Sequence, residues 1–215
     1  MTINQAREKN LKKWICYLCV IAVTCVWAGK AWADPQPLFE DTFTSLDPGF
    51  GAPSATLQVS RGKLVVSTTA NVILQYQVGF FTDADISATF SCTTGDLTGN
   101  NYGGIIFWAT DHVNFYDAIV AADGSCKIMR VVGSRWLSPA ILPISASVNK
   151  GTGTSNVARV VTVGKQATFF VNGKKMAAIT GMPPAGGGLV GVYVQNDTAP
   201  CSWTVQDFKV LPPPQ

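Results

Sequence analysis

Past its opening segment the chain alternates apolar and polar positions with a period of two, broken at short intervals by Gly, Pro, Asn and Asp. Leu38–Phe43, Leu57–Val59, Lys63–Ser67, Val72–Val78, Ile86–Cys92, Ile105–Thr110, Asn114–Ala121 and Lys127–Val132 read as strands. So do Val157–Val163, Gln166–Val171, Lys174–Ile179, Leu189–Gln195 and Ser202–Val210. Asp47-Pro48-Gly49, Arg61-Gly62, Asp123-Gly124 and Asn172-Gly173 supply turns between them, while Ser138-Pro139 and Leu142-Pro143 read as breaks. No stretch sustains the 3.6-residue period of an amphipathic helix. Short strands with frequent turn signals predict an all-β fold, a two-sheet antiparallel sandwich.

The stretch Asn101–Trp136 carries the most informative pattern, a three-strand meander. Asp111-His112 makes its first connection, and Asp123-Gly124 is a strong signal for a two-residue type I′ hairpin. With those loops the register sets Trp108 beside Phe115, Ile106 beside Asp117, Ile119 opposite Ile128, and Asp117 opposite Arg130. One face then carries Ile105, Phe107, Tyr116, Ala118, Val120, Met129 and Val131, a core composition. The other carries Trp108, Phe115, Asp117 and Arg130 among Ile106, Ile119, Ile128 and Val132. Apolar walls with a few placed polar groups suit a ligand. A slip of one residue at either turn exchanges the faces.

Composition changes the picture at the amino terminus. Met1–Lys13 is basic, Trp14–Gly29 is apolar, and Ala31-Trp32-Ala33 is a small-x-small cleavage site. This is the layout of a secretory signal peptide over 1–33, leaving a single domain over 34–215. An uncleaved anchor is the competing reading, but the apolar run is short of the roughly 20 residues of a full span. The expected location is periplasmic or secreted. The formal charge of +3 is misleading, because five of the 16 basic residues and one of the 13 acidic ones lie in 1–33. The remainder holds 11 against 12, so no positive surface points to nucleic acid or, after cleavage, to a membrane. Cys92, Cys126 and Cys201 permit one disulfide with a free thiol, or none, and spacing does not choose among pairings.

Several landmarks fall in a recognisable order. They are Asp41-Thr42-Phe43, Arg61-Gly62-Lys63-Leu64, Gly103-Gly104-Ile105-Ile106-Phe107-Trp108, Asn114-Phe115-Tyr116 and Asp123-Gly124. Arg130 with Trp136, Asn156-Val157-Ala158-Arg159-Val160, Phe170-Val171-Asn172-Gly173, Gly188-Leu189-Val190-Gly191-Val192 and Asp207-Phe208-Lys209-Val210 follow. Together they resemble the concanavalin A-like jelly-roll superfamily, and within it the bacterial secreted domain known as 3-keto-disaccharide hydrolase. The resemblance implies a jelly-roll sandwich with saccharide bound across a concave sheet or its rim. It also implies that calcium is sometimes held near the paired terminal strands, where Asp41 and Asp207 are the matching positions. Turn capping or solvent exposure is their competing role, since calcium asks for six to eight oxygen ligands.

The chemistry-bearing residues are few. Glycoside hydrolysis commonly uses two carboxylates, yet Glu40 is the one glutamate after residue 33, and the Glu-x-Asp-x-x-Glu strand of the glucanases is absent. Asp117 is the candidate acid or base if the protein is an enzyme. Its alternative is a cross-strand ion pair with Arg130. His112, the single histidine, reads as a rim base or an exposed turn residue. Tyr102, Trp108, Trp136, Tyr193 and Trp203 offer flat rings with polar edges suited to sugar faces. Trp108 divides evenly between ligand platform and core, Trp203 reads as core, and Trp136 reads as overhanging a groove. The site predicted is thus Trp108, Asp117, Arg130 and Trp136. The function read from these features is a non-catalytic carbohydrate-binding module. A 3-keto-disaccharide hydrolase and an envelope protein-interaction module are the alternatives.

Overall fold

A computed structural model describes residues 35–68, 72–97, 100–142, 144–197 and 199–214. The segment read as a signal peptide lies outside the described residues. Strands β1 (Phe39–Asp41), β2 (Leu57–Val59), β3 (Leu64–Thr68), β4 (Val72–Phe81), β5 (Ala84–Thr94), β6 (Asn101–Asp111) and β7 (Asn114–Ala121) form the first half. The second half is β8 (Cys126–Val132), β9 (Arg135–Leu142), β10 (Ser155–Val163), β11 (Gln166–Val171), β12 (Lys174–Thr180), β13 (Gly188–Asn196) and β14 (Cys201–Leu211). A short 3-10 turn, Pro48–Phe50, is capped by the Asp47 carboxylate.

The strands build two antiparallel sheets. The first runs β12-β11-β10-β5-β14-β3-β2, with β1 also on β14, and the second runs β4-β13-β6-β7-β8-β9. Between them lies a core that includes Phe90, Phe107, Phe169, Trp203 and Phe208. Trp203 of the first sheet ties the layers together. Its indole N–H donates to Asn101 Oδ1 of the second sheet at 2.8 Å. The Asn101 amide in turn donates to the Asp96 carbonyl at 2.7 Å and to Cys92 Sγ at 3.3 Å. A buried amide left without such partners would cost about 1–3 kcal/mol.

Each strand read from the sequence is present, and one more was missed. Arg135–Leu142 is β9, despite its proline. Proline lacks a donor for the ladder and is tolerated at a sheet edge, and β9 is one of the two edge strands of the second sheet. Its register with β8 shifts between Ile128 and Arg130, across from Pro139, so the missing amide falls at an irregularity.

Two irregularities set the faces of the second sheet. The β7–β8 hairpin is not a two-residue type I′ turn. Gly124 N donates to the Ala121 carbonyl and Ala121 N to the Ser125 carbonyl, with Gly124 at φ +91°. The loop is therefore three residues long, a tight turn followed by a left-handed glycine. Asp123 favours it by accepting from Ser125 N and Oγ through its carboxylate. Asp117 then pairs with Met129, and Arg130 with Tyr116. The second lies in β6, which gains one residue on β13 between Ile106 and Ala109, and two on β7 between Phe107 and Asp111. Trp108 sits in that shift at φ +49°.

Gly104 illustrates how close these strands run. A Cβ there would lie 2.3 Å from the Ala118 carbonyl oxygen and 2.6 Å from Ile119 Cα, both backbone atoms of β7. Gly104→Ala is expected to lower unfolding stability by about 1–3 kcal/mol, because neither obstacle is a movable side chain. Urea unfolding checks this, and an unchanged midpoint would show that the strands can part without loss.

Candidate functional site

The outward face of the second sheet is unusually apolar for an uncovered surface. Tyr102, Ile106, Ala109, Phe115, Ile119, Ala121, Val131 and Tyr193 form a second buried cluster there, separate from the main core. Its burial comes from curvature. Trp136 on β9 and Tyr193 on β13 are four strand steps apart, roughly 19 Å on a flat sheet. Their ring centroids are 6.2 Å apart, and Trp136 lies 6.1 Å from Phe115. The sheet therefore bends into a trough, and its aromatics lean together over the middle strands.

Beside those rings the trough leaves a depression of about 240 Å³, lined by Tyr102, Ile119, Lys127, Met129, Trp136, Gln195 and Asp197. The polar groups are organised. The Tyr102 hydroxyl donates to Asn100 Oδ1 at 3.0 Å, and the Lys127 ammonium lies 4.3 Å from the Tyr102 ring centroid. The Tyr193 hydroxyl donates to Gln195 Oε1, and Gln195 Nε2 donates to Asp197. Trp136 is 40 % exposed, so its ring contributes both to the cover and to the open wall.

Asp117 lies on this face between Phe115 and Ile119, wholly buried. Neither carboxylate oxygen finds a hydrogen bond of proper geometry. Burial pushes the carboxyl up to about 7, an effect that the neighbouring Met129 amide and the Lys127 charge only partly offset. The same carboxylate, after burial itself, helps hold the Tyr193 hydroxyl in its protonated form.

The four predicted residues separate. Asp117 and Trp136 belong to the trough. Trp108 does not stand beside Phe115: it is turned into the main core, edge-on to Tyr116 at 5.4 Å. Arg130 does not face Asp117. Its guanidinium lies 5.3 Å from the Tyr116 ring centroid, on the other side of the sheet. With β8 reversed, Met129 packs against the outer cluster, which includes Val131, and Ile128 belongs to the core. Sequence reasoning noticed Tyr102 and Tyr193 without a direction for them, and passed over Lys127, Gln195 and Asp197. Counting β8 from a three-residue loop would have put Lys127 and Met129 beside Asp117.

No protein-family model and no curated protein matches this sequence. Solved structures do match. The β-glucanase of Bacillus licheniformis superposes with a TM-score of 0.59 at 8% identity, over 80% of this chain and 97% of its own. The Emp47p carbohydrate recognition domain gives 0.56 at 14% identity, over 82% and 96%. The carbohydrate binding module CBM66 from Bacillus subtilis gives 0.51 at 13% identity, over 74% and 89%. The fold is a concanavalin A-like jelly roll. At these identities the likeness extends to architecture and no further.

A calcium ion of the kind the resemblance implied would have to use Asp41 and Asp207. Asp41 Oδ1 already accepts from Phe43 N at 2.6 Å, while Oδ2 is buried without a partner. Asp207 is an exposed residue at an irregularity of β14. Among the described residues no three His, Cys, Asp or Glu side chains group together, so backbone oxygens would have to supply most of a calcium shell. His112 is exposed at the β6–β7 turn. Cys92, Cys126 and Cys201 are buried free thiols, with burial holding Cys126 and Cys201 up at about 11.

The position of Asp117 has a measurable consequence. The folded chain holds its proton more tightly than the unfolded chain, where the carboxyl titrates near 3.8. Its contribution to stability is therefore full below about pH 4 and is lost as pH rises through about 7. The loss amounts to roughly 4 kcal/mol at most. Asp117→Asn is expected to be more stable than wild type at pH 8, with the difference vanishing toward pH 4. Urea unfolding across that range reads it, and a pH-independent difference would contradict an ionisable, unpaired carboxyl.

Proposed function

We propose that the protein is an exported, non-catalytic carbohydrate-binding module that holds its ligand in the trough of the second sheet. The observation that carries this reading is the joining of an exposed indole and a tyrosine ring with Lys127, Gln195 and Asp197 around one depression. Aromatic faces give apolar contact to the C–H side of a sugar ring, and amide, ammonium and carboxylate groups complement its hydroxyls. The presence of a carbohydrate binding module and a carbohydrate recognition domain among structures of like fold agrees with it. The signal-like amino terminus supports export.

The lining argues against glycosidic hydrolysis. Paired catalytic carboxylates flank the scissile bond roughly 5–9.5 Å apart, and Asp197 is the one carboxylate among the residues that line the depression. A second reading, hydrolysis of a 3-keto-disaccharide, draws support from Asp117, whose carboxyl near 7 would suit a general acid or base. It needs Asp117 to become reachable, and Arg130 lies on the other side of the sheet from it.

A glycan array identifies the ligand, and calorimetry on the strongest hit tests the site. Trp136→Ala is expected to weaken binding about tenfold or more, the loss typical of an aromatic anchor. Unaltered affinity would remove the trough from consideration. Release of sugar from a 3-keto-glucoside, abolished by Asp117→Asn, would instead establish the hydrolase.

A further inference from the structure

Trp108 and Arg130, displaced from the trough, meet again at one end of the sandwich. The end of β6, the start of β7, the end of β8 and the β12–β13 connection enclose a depression of about 150 Å³ there. Its polar lining comprises Trp108, Thr110, Asn114, Tyr116 and Arg130, with Met182 alongside. Most of these groups are already engaged. Asn114 donates to the Asp111 carboxylate and accepts from Gly133 N. The Thr110 hydroxyl lies 3.5 Å from Asp111 and from the Asn114 carbonyl. The Tyr116 hydroxyl accepts from Met182 N at 3.1 Å.

Two donors stand apart from this pattern. The Trp108 indole N–H is buried and has no acceptor. The Arg130 guanidinium belongs to neither described salt bridge, and its described polar contact is Met182 Sδ at 3.5 Å. A thioether is a poor acceptor for a group with five donors in a planar fork. Left-handed backbone at Trp108, unfavourable for a residue with a side chain, holds the indole in this position. Gly181 lets the connection close over it, since a Cβ there would lie 2.4 Å from Trp108 Cζ3. The depression thus offers a guanidinium without an oxygen acceptor, beside an aromatic wall that includes Trp108 and Tyr116.

We propose that this depression is a second binding site, for a compact carboxylate held by the Arg130 fork beside the Trp108 indole. A planar carboxylate matches the fork with two parallel hydrogen bonds, and a single guanidinium balances a monoanion. The volume admits the carboxylate and a few attached atoms. Such a group is offered by a sugar acid or by a short free hydroxy acid. The site is independent of the trough and of the reading given to it.

Indole resonances of the full-length, nitrogen-15-labelled protein report the two sites separately. Glucuronate, lactate and glucose are titrated in turn. The Trp108 N–H resonance is expected to move with glucuronate and not with glucose. Movement with glucuronate alone assigns a sugar acid, and movement with lactate as well assigns carboxylates in general. Either result supports the site. Arg130→Met is expected to weaken the response about tenfold or more, the effect of losing a charge-assisted hydrogen bond. Arg130→Lys should weaken it less, and Lys165→Met, an exposed charge, should leave it intact. A Trp108 resonance unmoved by both acids, moved equally by glucose, or indifferent to Arg130→Met overturns the proposal.

Discussion

A strand offers each side chain only two directions, and one inserted residue reverses every direction beyond it. The second sheet depends on two irregularities of register. The three-residue loop Ala122–Gly124 turns Lys127, Met129 and Val131 outward and leaves Ile128 and Arg130 for the other side. The irregularity at Trp108 places consecutive residues Phe107 and Trp108 in the same core. Without the first, Arg130 would meet Asp117 and Lys127 would lie inside the sandwich. Without the second, Trp108 would crowd the trough already filled by Phe115, Trp136 and Tyr193.

The electrostatics follow from that arithmetic. Asp117 is outward by register but buried by curvature, so it loses water without gaining a cation in contact. A carboxylate in such a place keeps its proton instead of its charge. Compare Asp85, equally set in a sheet, where Arg159 answers with two hydrogen bonds at 2.6 Å. Asp85 is answered by a guanidinium, whereas Asp117 is left without a hydrogen bond beneath the groove. Buried polar groups are overwhelmingly paired in stable folds, and Asp117 departs from that rule with both of its oxygens.

Much of the fold was legible in advance because period-two alternation and glycine-rich turns act locally. The β6–β7 register was correct as far as Ile106 beside Asp117, since its neighbouring positions are regular. What escaped was of a different kind. Asp123-Gly124 serves a two-residue loop and a three-residue loop equally well, and the choice depends on the Asp123 carboxylate capturing Ser125. The twist at Trp108 has no turn residue to announce it. Pro139 looked like a stop because a proline's neighbours in space, not in sequence, decide whether its missing donor matters. For the candidate site, residue types were legible and their grouping was not: Trp136, read as following a strand end, lies within β9 and lines a depression, whereas Trp108 and Arg130 were assigned to the wrong side.

Strand β8 shows why the two depressions are tied to a single structural decision. Lys127 and Met129 line the trough, and Arg130 lines the end pocket, with Val131 reaching the latter too. Adjacent residues of one strand thus serve opposite faces, and no side-chain rotation could exchange them. Any change that moved β8 by one position would carry Arg130 under the trough aromatics and pull the ammonium of Lys127 inward. Both depressions would then fail together, although every strand could still pair. The Asp123 turn, which lines neither depression, therefore sets the register on which both depend.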